Sequence, residues 1–303
     1  MAEAVQIASA GLKLSGLIEK PENSSDEKKK PAFIILHGFG SSKNAGNVRA
    51  PAQFLRNLGF VTLTFDMRGC GESEGERGRL ICLEQVEDTR NAITFLQSYP
   101  DVDANRIGLM GSSFGAAVAL YTSAVDERVA ATISSGGWGN GTRKFRNQHQ
   151  GVNAWDKFLN MLEAGNKHIL ENGESLWVDR YDIVPIPEKL RKNVVSGSIQ
   201  KFPVETAQSM YDFKAEDIVA DIAPRPLLLL HSSVDSVTPT EQSLELFKRA
   251  GMPKDLHLFA ETDHFMFAED NHRVRHVVKD WLDIHFPVNS EPKSSQSDES
   301  SEA

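Results

Sequence analysis

The stretch Arg106-Ile107-Gly108-Leu109-Met110-Gly111-Ser112-Ser113-Phe114-Gly115-Ala116-Ala117-Val118-Ala119-Leu120 decides the fold. An apolar run ends, a Gly-x-Ser-x-Gly pattern turns the chain, and an Ala-rich helical stretch begins. This reads as a sharp strand-to-helix turn that presents Ser113 at the C-terminal end of a parallel sheet. Glycine is required at 111 and 115 because a Cβ at either position would collide with the neighbouring strand or helix. By composition alone the pattern occurs in about one chain in ten of this length, so its meaning rests on its surroundings.

Outward from that turn, strands and helices alternate. Upstream, Val5–Ser9 and Leu12–Ile18 flank Ala10-Gly11 as an edge hairpin. Ala32–Leu36 and Val61–Phe65 read as strands, and Val48–Leu58 (closed by Gly59) and Leu80–Ser98 as helices. Downstream, Val129–Ser134, Leu227–His231 and Leu256–Phe259 read as strands, with helices over Ser113–Ala124, Thr240–Ala250 and Asn271–Phe286. Short β-rich runs separated by helices predict an α/β fold: a mostly parallel twisted sheet with helices on both faces.

The rhythm breaks over residues 138–213, which hold three of the four tryptophans. Trp155, Phe158, Leu159 and Leu162 fall at helical spacing. That stripe fits a helical subdomain burying its own apolar face, or a lid whose aromatic face also lines a substrate cavity. The expected organisation is therefore a core over 1–137 and 214–287, a helical cap or lid insertion over 138–213, and a disordered Ser/Glu/Asp-rich tail over 288–303.

Composition narrows the partners. Forty-two acidic against 33 basic residues give a net charge of −9, which supplies no excess of cations for nucleic acid. No apolar run approaches the length of a membrane span, about 20 residues, and no signal peptide is expected at the N-terminus. Cys70 and Cys82 have no metal-ligand spacing and read as buried thiols of a reducing compartment, so the expected location is cytoplasmic. With no nucleotide-binding glycine loop and no metal-ligand cluster, no cofactor and no metal are expected, and no protein partner is indicated.

A serine hydroxyl needs a base, a group that orients the base, and donors for a developing oxyanion. Of nine histidines, only His264 falls in a late strand-to-helix loop, where the C-terminal edge of a sheet presents functional groups. His231 reads as a strand terminus. Asp235, just after the apolar strand at Leu227–Leu230, is the candidate orienting acid. Alone, it would read as a turn aspartate before Pro239. Asp263 is a rival, poorly placed to bond the ring of its own neighbour. The candidate oxyanion donors are the backbone amides of Phe114 and of Phe39 in His37-Gly38-Phe39-Gly40.

The order Ser113…Asp235…His264, with His37-Gly38-Phe39-Gly40 and Gly111-x-Ser113-x-Gly115, resembles the α/β-hydrolase fold family. Asp66-x-Arg68-Gly69-x-Gly71-x-Ser73-x-Gly75 is similar to a loop of its esterase, lysophospholipase-like and serine-aminopeptidase-like branches. The resemblance covers residues 4–286 apart from the insertion, which falls where the family carries its cap. It implies a serine nucleophile at Ser113, completed by Asp235 and His264. Ser112 and Ser232 depart from the histidine and glycine common at their positions. Asp66 and Arg68 read as an ion pair holding a loop near the site.

The expected activity is hydrolysis of a small or medium carboxylic ester. An amide or peptide substrate would use the same three residues, and an acidic cap residue binding a substrate amine would favour it; Asp156 and Asp179 are candidates. A catalytically silent scaffold of this fold is the third reading.

Overall fold

The computed structural model describes residues 2–22, 29–267 and 271–289. In chain order the strands are β1 (Ala2–Ser9), β2 (Leu12–Glu19), β3 (Lys30–Leu36), β4 (Val61–Phe65), β5 (Val102–Ser112), β6 (Val129–Ser135), β7 (Trp177–Asp179), β8 (Lys201–Pro203), β9 (Leu227–Ser232) and β10 (Lys254–Phe259). The helices are α1 (Gly46–Leu58), α2 (Cys82–Gln97), α3 (Phe114–Val125), α4 (Gly141–Gln148), α5 (Ala154–Asn172), α6 (Arg180–Ile183), α7 (Val204–Asp212), α8 (Glu241–Arg249) and α9 (His272–His285).

Eight strands form one sheet in the order β1-β2-β4-β3-β5-β6-β9-β10. Every pairing from β4 to β10 is parallel, and only the β1–β2 hairpin and its junction with β4 are antiparallel. The central strands are near-continuous apolar runs because both faces are covered. Along β3, side chains alternate between two cores. Ile34 and Leu36 pack in the core shared with Ile93 of α2 and Val118 of α3. Phe33 and Ile35 pack in the other, with Leu55 of α1 and Trp281 of α9. Phe33 meets Phe60 and Phe286 edge-on at 5.2 and 5.5 Å, an arrangement worth about 0.5–1.5 kcal/mol per pair beyond area burial.

After β3 the chain goes to one side for β4 and returns to the other for β5. The order reverses there, so the loops leaving the C-terminal ends of β3 and β5 diverge around a crevice. Those loops carry Phe39 and Ser113.

Between β6 and β9 lies the helical insertion, α4 to α7. It also contains the antiparallel β7–β8 pair, which the sequence reading lacked; three-residue strands show no periodicity. Phe158 and Leu162 are buried, with Phe158 stacked on Phe145 at 4.7 Å. The insertion is tied to the core by hydrogen bonds from the Leu80 amide to Thr206 Oγ1 (2.9 Å) and from the Cys82 amide to Ser209 Oγ (2.8 Å). α2 begins at Cys82 rather than at Leu80. Among the described residues, no helix is long and apolar enough to cross a membrane. The segment expected to be a disordered tail lies outside the described residues from position 290 onward.

Candidate active site

Ser113 joins β5 to α3 with φ 55° and ψ −115°, a region costly for a residue bearing a Cβ. The strain is held by a hydrogen bond from the Ser113 amide to the Ser135 carbonyl (2.9 Å). The flanking glycines are fixed by space. A Cβ on Gly111 would lie 2.2 Å from the Gly115 carbonyl oxygen, and one on Gly115 would lie 2.5 Å from the carbonyl oxygens of Leu36 and His37. The same closeness brings the β3 loop beside the serine: a Cβ on Gly38 would be 3.8 Å from Ser113 Cβ.

His264 Nδ1 donates to Asp235 Oδ2 at 2.8 Å, which leaves Nε2 as the nitrogen that can take up a proton. The other oxygen, Oδ1, accepts from the amides of Val237 (2.8 Å) and Thr238 (2.7 Å). His231 Nε2 lies 3.3 Å from Asp235 Oδ2 and 2.9 Å from the Thr238 carbonyl; a carbonyl only accepts, so Nε2 carries the hydrogen. Burial pushes the Asp235 carboxyl up, but the charge of His264 and the hydrogen bonds of His231 and His264 outweigh it. The net result is a carboxyl held well below the usual carboxylate range.

The rival acid has another task. Asp263 Oδ1 accepts from the Ser236 amide and the His264 amide, each at 2.9 Å, and no hydrogen bond to the imidazole ring is found. Ser232 donates from Oγ to the Thr262 carbonyl (2.8 Å). It thereby ties the aspartate loop to the histidine loop. Asn47 Nδ2 donates to Ser112 Oγ at 3.1 Å.

Phe39 lies in the loop after β3, and its amide donates to no acceptor among the described residues. Phe114 opens α3, so its amide is one of the first-turn donors that have no intrahelical partner. His37 holds the Phe39 loop: Nε2 accepts from the Met67 amide (3.1 Å), and Nδ1 donates to the Gly38 carbonyl (2.8 Å). Its pKa is lowered by burial.

The expected Asp66–Arg68 pair does not form. Asp66 instead pairs with Lys43 Nζ at 2.7 Å, while Arg68 pairs with Asp88 at 2.6 Å and Glu87 at 2.8 Å. Both ends of the loop are still anchored, but to different elements: Asp66 to Lys43 and Arg68 to Asp88 of α2.

Ser113 and His264 line one cavity of about 40 Å³, together with Phe39 and, from the insertion, Arg180, Val184 and Ile186. The aromatic stripe of α5 does not reach it. Trp155 and Phe158 pack instead against Tyr211, with centroids 6.3 and 6.1 Å away, so the stripe serves the insertion's own core. Asp156 and Asp179 are exposed and lie outside the cavity lining. Cys70 and Cys82 are buried free thiols, and burial pushes Cys82 up to about 12.

Two site residues escaped the sequence reading. Gly136, just past β6, has φ +60°, and a Cβ there would meet His264 Cε1 at 3.3 Å and Asp235 Oδ2 at 3.7 Å. A glycine at the C-terminal end of a sheet strand was its one available signal. Arg180 had none, because periodicity does not indicate which insertion residues face the core.

A protein-family model described as serine aminopeptidase, S33, matches residues 27–271. An uncharacterized 31.7 kDa protein of the Escherichia coli traX-finO intergenic region is 30% identical over 269 residues, spanning 85% of this chain and 92% of that one. The acyltransferase drtE of Aspergillus calidoustus is 28% identical over 274 residues, 85% of this chain and 87% of its own. The α/β hydrolase GrgF from Penicillium sp. sh18 superposes with a TM-score of 0.77 at 23% identity, covering 94% of this chain and 99% of that one. The elbow at Ser113, the strand order and the match over residues 27–271 make this chain a member of the serine aminopeptidase, S33, family of α/β-hydrolase-fold proteins.

Proposed function

We propose that this chain is a serine hydrolase that cleaves a small or medium carboxylic ester through an acyl-enzyme on Ser113. The observation that carries the reading is the 2.8 Å hydrogen bond from His264 Nδ1 to Asp235 Oδ2, with His264 and Ser113 lining the same cavity. His264 Nε2 takes the hydroxyl proton as Ser113 Oγ attacks the acyl carbon, and Asp235 steadies the imidazolium that results. The amides of Phe39 and Phe114 hold the tetrahedral oxyanion, and the positive end of α3 adds to them. The proton then passes to the departing alkoxide. Water, deprotonated by His264, attacks the acyl-enzyme, and the acid leaves as Ser113 regains its proton.

The cavity supports an ester over a substrate carrying a free amine. No carboxylate lines it among the described residues, and a guanidinium does, so an ammonium group would meet repulsion rather than a partner. The same acyl-enzyme could pass its acyl group to another alcohol, as the name of the Aspergillus relative suggests. Residues 138–213 act in this reading as the cap that shapes the acyl pocket, and the buried thiols support a cytoplasmic location.

Assays of purified protein on p-nitrophenyl acetate, p-nitrophenyl butyrate and an aminoacyl p-nitroanilide test the ester reading. Turnover of the esters with at most traces of anilide cleavage is expected. Faster cleavage of the anilide would replace the ester reading with the peptidase one.

A further inference from the structure

Arg180 opens α6 in the insertion and is only 4% exposed. A guanidinium has five N–H donors, and two of them are engaged here. Nη1 donates to the Ile199 carbonyl at 2.7 Å and Nη2 to the Phe39 carbonyl at 2.5 Å. Nε is buried without a partner. The aromatic faces of Phe39 and Phe202 lie 5.3 and 5.9 Å from the guanidinium carbon. Among the described residues no carboxylate stands within ion-pair distance of it, whereas Arg68, the other buried arginine among them, pairs with Asp88.

A buried cation without a counter-charge is costly. Burial lowers its pKa only to about 10, so it remains charged at neutral pH. Arg180 lines the same cavity as Ser113, and so does Ser198, whose Oγ is also buried without a hydrogen-bond partner. Two residues with an unsatisfied donor, one of them an arginine with no carboxylate partner, therefore line the cavity that holds Ser113.

Resting on the serine-hydrolase reading, we infer that Arg180, assisted by Ser198, binds a carboxylate on the substrate, so that the preferred substrates are half-esters of dicarboxylic acids or similar anionic acyl esters. A guanidinium offers a planar fork of N–H donors that matches two carboxylate oxygens. The reach is set by Phe39, which bears the oxyanion amide on one side and the carbonyl held by Arg180 on the other. That puts the guanidinium roughly 6 Å from the amide, a span suited to a carboxylate four or five carbons beyond the acyl carbon. The anion takes no part in the bond changes; it fixes the acyl chain and stays charged throughout.

The test compares mono-p-nitrophenyl adipate with its neutral counterpart, p-nitrophenyl methyl adipate. In wild-type protein kcat/KM for the anionic ester is expected to exceed that for the neutral one by tenfold or more. Arg180→Met should bring the ratio to one or below, Arg180→Lys should lower it several-fold, and Ser198→Ala should lower it with the fold unchanged. Thermal melting with monomethyl adipate reads the site without catalysis: the melting temperature should rise in wild type and not in Arg180→Met. If Ser113-dependent hydrolysis is present but the wild-type ratio is one or less, the carboxylate site is wrong while the hydrolase stands. Equal losses on both esters in Arg180→Met, with the ratio unchanged, would assign Arg180 to holding the Phe39 loop alone and overturn the proposal. If neither ester is cleaved and Ser113 is unreactive, the hydrolase reading fails. The melting experiment then decides the site: stabilisation that Arg180→Met abolishes upholds it, and no stabilisation refutes it.

Discussion

At Asp235 the two carboxylate oxygens have separate tasks. Oδ1 is tethered to the Val237 and Thr238 amides, and Oδ2 receives the His264 ring. Asp235→Asn keeps the tethered oxygen but offers His264 an amide, which disfavours the working tautomer. A loss in kcat of about 10⁴-fold is expected, and a loss under tenfold would mean Asp235 does not orient His264. The depressed carboxyl also sets a sign. Its contribution to stability is present above the ordinary aspartate range, near pH 3.9, and is lost as pH falls below it. Gly136→Ala would push against His264 from a left-handed backbone position. A displacement of a few tenths of an ångström should lower kcat by about tenfold or more, with fluorophosphonate labelling of Ser113 slowed rather than lost. The elbow, Asp235 and His264 were readable in the sequence because each sits at a strand end with a recognisable spacing. Ser232 and Gly136 were not, since what they do depends on a neighbour 30 residues away or on a backbone angle.

At the scale of elements, α4 carries a lysine that titrates in the wrong place for its type. Lys144 is buried over the Phe145 ring at 3.9 Å, with Gln148 Oε1 as its hydrogen-bond partner at 2.9 Å. Burial lowers its pKa to about 7. The unfolded chain binds this proton up to about pH 10.4, so between about pH 7 and 10 unfolding takes up a proton. Stability from this group therefore rises with pH across that window, by at most about 1.4 kcal/mol per unit. Lys144→Met should raise the melting temperature at pH 6.5 and flatten its climb between pH 7 and 10; an unchanged slope would contradict the shift. The loop after β4 depends on a different pairing. Arg68 bonds Asp88, which is fully buried and also receives Ser9 Oγ at 2.6 Å. Arg68→Ala leaves that carboxylate unpaired and should cost about 3–5 kcal/mol in denaturant unfolding. Sequence spacing suggested an ion pair inside this loop. It could not indicate that Lys43 and Asp88, 23 residues before Asp66 and 20 after Arg68, would take the two partners.

For the whole molecule, the sheet supplies position and, in the proposed reading, the insertion supplies selection. The reversal of strand order at β3 brings the Phe39 and Ser113 loops together; alternating strands and helices indicate the parallel sheet but not that order. The insertion lines the crevice beside Ser113 with Arg180, Val184 and Ile186. Among neutral p-nitrophenyl esters, kcat/KM should be greatest for chains of up to about six carbons and fall at least tenfold by dodecanoate. A rise with chain length would mean that the insertion opens widely. Its role was the least legible part of the sequence. Aromatic periodicity located α5, yet the cavity is lined by Arg180, Val184 and Ile186 beyond it.

Labelling of the purified protein with a fluorophosphonate probe, beside Ser113→Ala, tests the central claim most directly. Covalent labelling of the wild type, absent from a folded Ser113→Ala protein that has also lost ester turnover by about 10⁴-fold or more, is the predicted result. Labelling or turnover that persists in the variant would contradict it, as would a folded wild-type protein that the probe leaves untouched.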